Sequence, residues 1–260
     1  MSDHLSFIES IESFWPWTLP LANVHMVATR FDHRILNDND FSRYRIPLPL
    51  SLQSAVAKRR AEFLAGRLCA RRALLMLNGS EDVPGIRDDR APQWPEGCVG
   101  SITHSDDRAA ALVTHRDEFL GLGLDLERLL SNADGRKLAG DILTTEELVR
   151  LARFSSEQVG FIVTLTFSLK ESLFKALFPL IGKFFYFEHA ELVEWDASGV
   201  ARLRLLLDLD REWSTGCELN AQFCLVDGCV LSLVAIPAPR LGGLLGANTR
   251  SGSTGMHDAT

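Results

Sequence analysis

Residues 120–127 read LGLGLDLE, and leucine occupies every second position of this stretch. Such alternation is typical of a β-strand. Because successive side chains of a strand point to opposite faces, Asp125 and Glu127 should lie on the same face. Two carboxylates on one face repel each other unless a cation or a donor lies between them, and magnesium prefers oxygen ligands. The stretch therefore predicts a strand that ends either in a magnesium site or in a solvated acidic end.

A helix with a polar stripe follows further along the chain. Residues 159–178 carry apolar side chains at helical spacing, and Pro179 is expected to end the helix. Ser168, Glu171 and Lys175 share one stripe because they lie three and four residues apart. Glu171 and Lys175 could equally form an ordinary surface ion pair, so this stripe alone does not establish a site.

The rest of the chain predicts further helices and strands. Residues 51–77 form a first long helix that Asn78-Gly79-Ser80 should stop, and residues 135–155 look helical, with a start at Thr144. The strand-like runs are Val24–Phe31, Val99–His104, Ala109–Thr114, Leu120–Leu126, Phe184–Phe187, Ala201–Leu207, Ala221–Val226 and Val230–Ile236. Asp227-Gly228 lies between the last two runs and predicts a hairpin turn.

This order is a helix followed by strands, twice, with a junction near residues 116–120. It predicts an α+β fold made of two similar α+β halves packed together. The expected units are an N-terminal half-domain of residues 1–117 and a C-terminal half-domain of residues 118–238 that holds the acidic strand and the Glu171 helix. Residues 239–260 are rich in glycine, serine and small residues, and this tail is expected to be disordered.

Composition excludes several classes of protein. The chain has 260 residues, 46% of them hydrophobic, which is ordinary for a soluble globular protein. A net charge of −7 makes nucleic acid a poor partner. The five cysteines form no C-x-x-C pair, which argues against a zinc ribbon and fits a reducing cytoplasm. Neither a signal peptide nor a bilayer-spanning run is recognisable, so no membrane partner is expected.

A cationic cluster lies on the first long helix. At about 100° per residue, Arg60, Arg67 and Arg71 line one stripe, and Arg59 lies about 80° from Arg67. Guanidinium groups bind phosphates in a bidentate way, although a solvated cationic face is the alternative. Gly66 in the middle of this helix costs about 1 kcal/mol relative to alanine, which suggests that something approaches closely there.

A second group of polar residues lies around a predicted strand. Residues 90–95 read RAPQWP, and residues 100–104 read GSITH. A histidine at a strand end, with Ser101 and Thr103 just before it, could donate to a phosphate, although a lone histidine is more often structural. Gly121 and Gly123 are no dinucleotide fingerprint, because the third glycine is absent and the segment runs into a strand.

The order of these motifs resembles the 4'-phosphopantetheinyl transferase superfamily. The chain reads basic helix, W-P, GSITH, GLDLE and then FSLKESLFK, and the resemblance spans about residues 50–236. It is greatest to the monomeric, double-length group that includes the enterobactin-synthetase component D type and the broad-range enzymes of pseudomonads. The resemblance implies two α+β halves related by a pseudo-twofold, with coenzyme A in the cleft between them. It also implies transfer of 4'-phosphopantetheine from coenzyme A to a serine of an apo acyl or peptidyl carrier protein, with release of 3',5'-ADP.

The resemblance implies roles for individual residues. Asp125, Glu127 and Glu171 match the magnesium ligands of the family. Glu171, or a water near it, is a candidate base for the carrier serine, and Lys175 is the second expected catalytic residue. Arg87 and Arg90 compete for one basic position near the nucleotide. The residues expected to contact coenzyme A are Arg59, Arg67, Arg87, Arg90, Ser101, Thr103, His104, Asp125, Lys170 and Lys175.

The partners follow from the same resemblance. Carrier proteins are acidic around their serine, so the docking surface should be basic and apolar, with Lys183, Phe184, Phe185 and Tyr186 as candidates; a core strand is the alternative for these residues. Fatty-acid, siderophore and polyketide assembly all remain open as pathways, and a monomer is expected. Two other functions stay open: a non-catalytic module that binds coenzyme A or a carrier protein, and a magnesium enzyme acting on a nucleotide pyrophosphate without a carrier.

Overall fold

The computed structural model describes residues 6–239, which form an α+β fold with eleven strands and five α-helices. The strands are β1 (Ile8–Ser13), β2 (His25–Phe31), β3 (Gly85–Ile86), β4 (Pro92–Gln93), β5 (Cys98–Ser105), β6 (Arg108–His115), β7 (Phe119–Arg128), β8 (Ala190–Trp195), β9 (Val200–Leu205), β10 (Glu218–Val226) and β11 (Cys229–Pro237). The helices are α1 (Asp38–Arg43), α2 (Ala57–Asn78), α3 (Asn132–Ile142), α4 (Thr145–Leu151) and α5 (Val159–Ile181). The α+β prediction is confirmed, and the tail that was expected to be disordered lies almost wholly outside the described residues.

Two large antiparallel sheets make up most of residues 6–239, each covered by one long helix, and β3 and β4 form a third, two-stranded sheet. The first sheet has the order β1-β2-β6-β5 and packs on α2, and the second has the order β7-β11-β10-β9-β8 and packs on α5. The other faces of the two sheets pack against each other through apolar side chains such as Met26, Leu112, Leu124 and Leu231. The layers are therefore helix, sheet, sheet, helix, which agrees with two helix-on-sheet halves; the half-domain boundaries 1–117 and 118–238 stay a prediction.

The edges of the two sheets meet where β5 lies beside β7. The Leu124 N–H donates to Ser101 Oγ at 3.0 Å, and the Leu126 N–H donates to Thr103 Oγ1 at 3.0 Å. An unpaired strand edge presents backbone donors that need partners. The two hydroxyls supply those partners, so β5 joins the halves through side chains.

The alternating glycines of β7 let α5 lie directly on this strand. Gly121, Gly123, Asp125 and Glu127 share one face of β7 by strand alternation. A Cβ atom at Gly123 would overlap the carbonyl oxygen of Ser172, and one at Gly121 would overlap that of Ala176. The face that carries the two acidic residues is therefore the face that receives α5, which brings Glu171 and Lys175 towards them.

Replacing Gly123 by alanine should destabilise the protein by about 2–3 kcal/mol, because an added methyl group in a close-packed contact forces the backbone to shift. Gly140→Ala is the matched control, since Gly140 lies in α3 and a Cβ there meets nothing within 4 Å. That control should be neutral or stabilising by up to about 1 kcal/mol. Chemical denaturation measures both, and equal stabilities for the two variants would contradict the close contact.

Several predicted elements differ from the structure. The first long helix begins at Ala57 rather than at residue 51, after a short 3-10 turn at Leu50–Leu52. Residues 135–155 form two helices, because Thr144 caps α4 in a capping box with Glu147 and thereby starts a new helix. The strands β1 and β8 were not predicted, since neither IESIES nor AELVEW alternates apolar and polar residues regularly, and the two-residue strands β3 and β4 are too short to show a pattern.

Two further predictions near the end of α5 were wrong. The helix continues past Pro179 to Ile181 and ends at Gly182, whose φ is 63°. A proline so near the C-terminal end removes a single backbone hydrogen bond, which the last turn tolerates. Residues 184–187 form no strand, because the chain there leads into a 3-10 turn at Phe187–His189. None of the helices within residues 6–239 combines the length and apolarity that a bilayer span needs.

Candidate active site

One cleft between the halves collects most of the predicted site residues. It has a volume of about 770 Å³. One wall is α2, the other is formed by β7 and α5, and the β3–β4 loop lies at one side. The predicted residues that line it are Arg59, Arg67, Arg87, Arg90, Thr103, His104, Asp125, Glu127, Glu171 and Lys175. Ser101 and Lys170 do not line it.

The wall formed by β7 and α5 carries Asp125, Glu127 and Glu171 and is called the acidic wall here. It is centred on the buried side chain of Asp125. Its Oδ1 accepts from Lys175 Nζ at 2.6 Å, and the same ammonium donates to the Leu124 carbonyl at 3.1 Å. Its Oδ2 is buried and has no hydrogen-bond partner among the described residues. A buried carboxylate oxygen without a partner costs free energy, so this atom is suited to an additional cation or donor.

Glu127 and Glu171 add negative charge beside Asp125. Burial, and then the charge of Asp125, raises the pKa of Glu127 to about 7. Burial also raises the pKa of Glu171, with Asp125 adding to the shift and Lys175 opposing it. Three carboxylates of the wall formed by β7 and α5 thus face the cleft with one lysine among them, which is an arrangement that favours a further cation.

The donor chemistry fits magnesium, although the side chains are not already gathered around one point. Carboxylate oxygens are the ligands that magnesium prefers, and it commonly takes one or two of them together with phosphate oxygens. Within residues 6–239, no three His, Cys, Asp or Glu side chains are grouped closely enough to hold a metal by themselves. Lys175 occupies one oxygen of Asp125, and the other oxygen is free for a metal.

The α2 wall, which carries Arg59 and Arg67 and is called the basic wall here, holds a buried arginine that has no carboxylate partner among residues 6–239. Arg67 is 6% exposed, donates from Nη2 to the Gly85 carbonyl at 3.0 Å and stacks over the Phe63 ring at 4.7 Å. Its Nε is buried without a partner among the described residues. Burial lowers the pKa of Arg67 to about 10, and the nearby charge of Arg59 adds to this, so the group is still a cation at neutral pH. An uncompensated buried guanidinium at a cleft wall is suited to an anion.

His104 and Arg59 are held together by a glutamate that the sequence analysis did not assign. Arg59 Nη1 lies 3.0 Å from His104 Nε2, and Glu62 Oε2 lies 3.4 Å from Arg59 Nη1 and 3.7 Å from His104 Nδ1. Because arginine can only donate, Nε2 is an acceptor and His104 is neutral with its proton on Nδ1. Burial lowers the pKa of His104, which agrees with a neutral ring. Glu62 could have been found from its position three residues after Arg59 on the same helix.

The loop between β3 and β4 presents Arg87 and Arg90 to the cleft. The Arg90 N–H donates to the Arg87 carbonyl at 2.9 Å, and Arg90 has a φ of 69°. Trp94 anchors this loop, because its ring lies so close to Gly100 that a Cβ there would be 2.5 Å from it. Both rival arginines therefore line the cleft, and the contact of Trp94 with Gly100 helps to place the loop that carries them.

Lys170 does not line the cleft, although the sequence predicted that it contacts coenzyme A. Its ammonium is buried on another side of α5, where it donates to Glu147 Oε2 at 2.6 Å and to the carbonyls of Ile142 and Phe187 at 2.9 Å each. Three acceptors satisfy its three protons. Its position gives no support to the phosphate contact that was predicted for it, and it holds α3, α4, α5 and the 3-10 turn together.

Ser101, Arg60 and Arg71 also make contacts other than the predicted ones to phosphate or cofactor. The hydroxyl of Ser101 accepts from the Leu124 N–H, and Ser101 lines a neighbouring cavity that shares Arg87, Arg90 and Lys175 with the cleft rather than the cleft itself. Arg60 pairs with Asp38 at 2.5 Å, and Arg71 donates to the Tyr44 carbonyl at 2.6 Å. The predicted arginine stripe is thus divided, and only Arg67 of its three members reaches the cleft. The close approach expected at Gly66 is real, since a Cβ there would lie 2.8 Å from the Ile102 side chain.

A second, mostly apolar pocket of about 210 Å³ lies next to the cleft, and Glu171 lines both. Phe184 and Tyr186 line it and are each 63% exposed, whereas Phe185 is 5% exposed and belongs to the core. Lys183 is held by the Leu209 carbonyl. Of the four residues suggested for docking, Phe184 and Tyr186 therefore present apolar surface next to the cleft.

Comparison with known proteins agrees with this geometry. Residues 49–114 match the profile of the 4'-phosphopantetheinyl transferase N-terminal domain, and residues 121–231 match that of the 4'-phosphopantetheinyl transferase superfamily. The chain is 32% identical over 198 residues to 4'-phosphopantetheinyl transferase Svp of Streptomyces mobaraensis, covering 71% of this chain and 75% of that protein. This chain belongs to the 4'-phosphopantetheinyl transferase superfamily.

Within the superfamily, the chain is similar to enterobactin synthase component D. The Salmonella typhi protein is 36% identical over 158 residues, which is 61% of this chain and only 64% of that relative's length. The Escherichia coli K12 protein is 36% identical over 159 residues, covering 61% and 73%. A holo-ACP-synthase structure from Plasmodium yoelii covers 46% of this chain and 96% of its own at 14% identity, with a TM-score of 0.36.

Proposed function

We propose that this chain transfers the 4'-phosphopantetheine group of coenzyme A to a serine of an apo acyl or peptidyl carrier protein and releases 3',5'-ADP. The observation that carries the proposal is a single cleft with three carboxylates on one wall and, on the other, Arg67, whose buried Nε has no partner among the described residues. Such a cleft suits a diphosphate that bridges a cation and fixed guanidinium groups. Membership of the superfamily supports the same conclusion.

The basic wall binds and orients coenzyme A. Arg59 and His104 contact its 3'-phosphate and the phosphates nearby, and Arg67 contacts the diphosphate together with Lys175 from the opposite wall. Arg87 and Arg90 lie at the side of the cleft and contact the nucleotide. Fixed cations stabilise the charge that develops on the leaving 3',5'-ADP, and they do so without reorganising during the reaction.

Asp125, Glu127 and Glu171 would hold the magnesium ion. When bound, the ion supplies charge neutralisation on the diphosphate oxygens as phosphoryl transfer proceeds. Lys175 holds one oxygen of Asp125 in an ion pair, so the Oδ2 atom, which has no partner among the described residues, would be available to the ion.

The reaction forms a bond between the serine oxygen and the phosphorus that carries the pantetheine arm. The bond from that phosphorus to the bridging diphosphate oxygen breaks, and 3',5'-ADP takes that oxygen and its electron pair. The serine proton passes to Glu171 or to a water that Glu171 orients, because a base must lie within hydrogen-bond reach of the hydroxyl. Glu171 is also the residue shared by the cleft and the apolar pocket, so the acceptor serine enters from the side of Phe184 and Tyr186.

The acceptor and the working state are part of the same proposal. The exposed Phe184 and Tyr186 give an apolar docking surface beside Glu171 for an acidic carrier protein. Both walls of the cleft come from one chain, so a monomer is complete as a catalyst. The five cysteines are free thiols, which suits the cytoplasm.

The direct test mixes the protein with apo carrier protein, coenzyme A and Mg²⁺ and follows the carrier by mass spectrometry. The carrier should gain the phosphopantetheine mass, and 3',5'-ADP should appear only when carrier is present. Capture of coenzyme A or carrier without any turnover on a panel of apo carriers would favour a binding module. Release of 3',5'-ADP without carrier would favour a pyrophosphate-cleaving enzyme.

Arg59 and Arg60 form a matched pair for testing the basic wall. Arg59→Ala should raise the KM for coenzyme A about tenfold or more, because a hydrogen bond to a charged group contributes about 1.5–3 kcal/mol. Arg60→Ala should leave that KM within about twofold, since Arg60 faces Asp38 and not the cleft. Steady-state kinetics at saturating carrier measures both, and equal effects of the two variants would refute the assignment of Arg59.

A further inference from the structure

Three buried serines meet between α5 and β11, and the roles described so far do not use them. Ser168, Ser172 and Ser232 each have 0% exposure. Ser232 Oγ lies 2.7 Å from Ser168 Oγ and 2.8 Å from Ser172 Oγ. Ser232 Oγ also donates to the Ser168 carbonyl at 2.8 Å. We call Ser168, Ser172 and Ser232 the serine cluster.

The hydrogen bonds of the serine cluster are complete. A serine hydroxyl has one proton and two acceptor lone pairs. Ser232 gives its proton to the Ser168 carbonyl, so the hydroxyls of Ser168 and Ser172 can both donate to its oxygen. The Ser172 hydroxyl has the Ser232 carbonyl as a second acceptor at 3.1 Å. No hydroxyl of the cluster lacks a partner, which makes one relative position of helix and strand favourable.

These serines connect two elements, whereas the buried hydroxyl of Thr166 on the same helix does not. Thr166 Oγ1 donates to the Ile162 carbonyl at 2.8 Å, while Thr164 Oγ1 donates to the Gly160 carbonyl at 2.7 Å and also accepts from the Leu130 N–H at 3.0 Å. The Thr166 bond stays inside α5, which is the usual local bond of a helical hydroxyl. The bonds of the serine cluster instead cross from α5 to β11 and resist sliding of the helix.

The serine cluster lies next to the acidic wall. Ser232 is the cross-strand partner of Asp125 in the β7–β11 pairing, and Ser172 follows Glu171 in the chain. A slide of α5 by one residue would move Glu171 and Lys175 by about 1.5 Å along the helix axis. Lys175 Nζ is 2.6 Å from Asp125, so a shift of that size would break the contact.

We propose that Ser168, Ser172 and Ser232 are positioning residues that set the spacing between Glu171 and Asp125 and thereby the affinity for the divalent ion. The proposal rests on the proposed function, because it presumes that these two carboxylates share a metal. The serines touch neither coenzyme A nor the ion. They act through the register of α5 against β7 and β11, which the close contact at Gly123 makes stiff.

The test measures Mn²⁺ binding in the presence of coenzyme A by electron paramagnetic resonance, which reads the metal without any turnover. Ser232→Ala should weaken Mn²⁺ binding about tenfold and raise the Mg²⁺ concentration for half-maximal rate to the same degree. Its KM for coenzyme A at saturating Mg²⁺ should change less than about twofold. Ser168→Ala removes fewer hydrogen bonds, so it should also weaken Mn²⁺ binding, but by less. This variant replaces Ser232→Ala as the test if Ser232→Ala folds poorly.

Thr166→Val is the matched control, because it removes a buried hydroxyl bond that stays within α5. It should bind Mn²⁺ as the wild type does, even where its thermal midpoint falls by as much as that of Ser232→Ala. Wild-type Mn²⁺ affinity in both serine variants, or equal weakening in Thr166→Val, would overturn the proposal. A wild-type protein that transfers no phosphopantetheine and binds no Mn²⁺ would overturn the proposed function itself, and this inference with it.

Discussion

Glu171→Ala is expected to lower the rate of phosphopantetheine transfer by about 10³-fold or more while the fold is retained. Glu171 is proposed both to hold the magnesium ion and to accept the serine proton. General-base catalysis alone contributes about 10²–10⁴-fold to a reaction rate. The side chain is partly buried and makes no hydrogen bond to the described residues that would hold the fold together, so its loss should cost little stability. Mass spectrometry of the carrier under single-turnover conditions measures the rate.

Glu157→Ala provides the control for this variant. Glu157 is exposed and precedes α5 by two residues, outside the cleft. The rate with Glu157→Ala should match that of the wild type, and the thermal midpoints of both variants should stay close to it. If Glu171→Ala keeps full activity, the assignment of the acidic wall is wrong.

Lys170→Ala is expected to cost about 3–5 kcal/mol of stability, because it leaves the buried Glu147 without its charge partner. For a protein of this size the thermal midpoint should fall by roughly 6–20 °C. The KM for coenzyme A, measured below the transition, should change less than about twofold, since the Lys170 ammonium faces Glu147 and two carbonyls and not the cleft.

A double variant separates the ion pair from packing. Glu147 also accepts from the backbone N–H groups of Thr144 and Leu192, so its replacement must keep an acceptor. Lys170→Met with Glu147→Gln removes both charges, and because the single amide oxygen can accept from only one of these two N–H groups, it should recover part of the lost stability. A stable Lys170→Ala with a tenfold higher KM for coenzyme A would restore the phosphate contact predicted from the sequence.

The acidic wall could be predicted from the sequence because its geometry is local. Strand alternation places Asp125 and Glu127 on one face, and helical spacing places Glu171 and Lys175 on one stripe. The alternating glycines of β7 then decide which face receives α5. Their role in packing was not predicted, since nothing in a lone sequence tells which helix will lie on a strand.

The residues that were misassigned depend on contacts far along the chain. Lys170 is a neighbour of Glu171 in sequence but lies about 100° away around the helix, where a buried glutamate of α4 meets it. Ser101 precedes the cleft residues Ile102 and His104 and yet is used by the backbone of β7. Arg60 and Arg71 contact Asp38 and Tyr44, which lie in a part of the chain without a recognisable motif.

The residues 184–187 show the same limit for secondary structure. Four aromatic residues in a row predict a buried strand, but here they alternate between the core and the surface without a partner strand. Phe184 packs on Phe178 with ring centroids 4.7 Å apart, so the run is fixed by aromatic contacts to α5. A short apolar run does not distinguish the two cases.

The most direct test of the account is a crystal structure of the protein with coenzyme A and Mn²⁺, in which anomalous scattering locates the ion. One peak is expected within coordination distance of Asp125, Glu127 and Glu171 and of the diphosphate of coenzyme A, with Arg67 in contact with the phosphates. Coenzyme A bound in the cleft with no metal peak at these three carboxylates, or a peak elsewhere in the molecule, would contradict it.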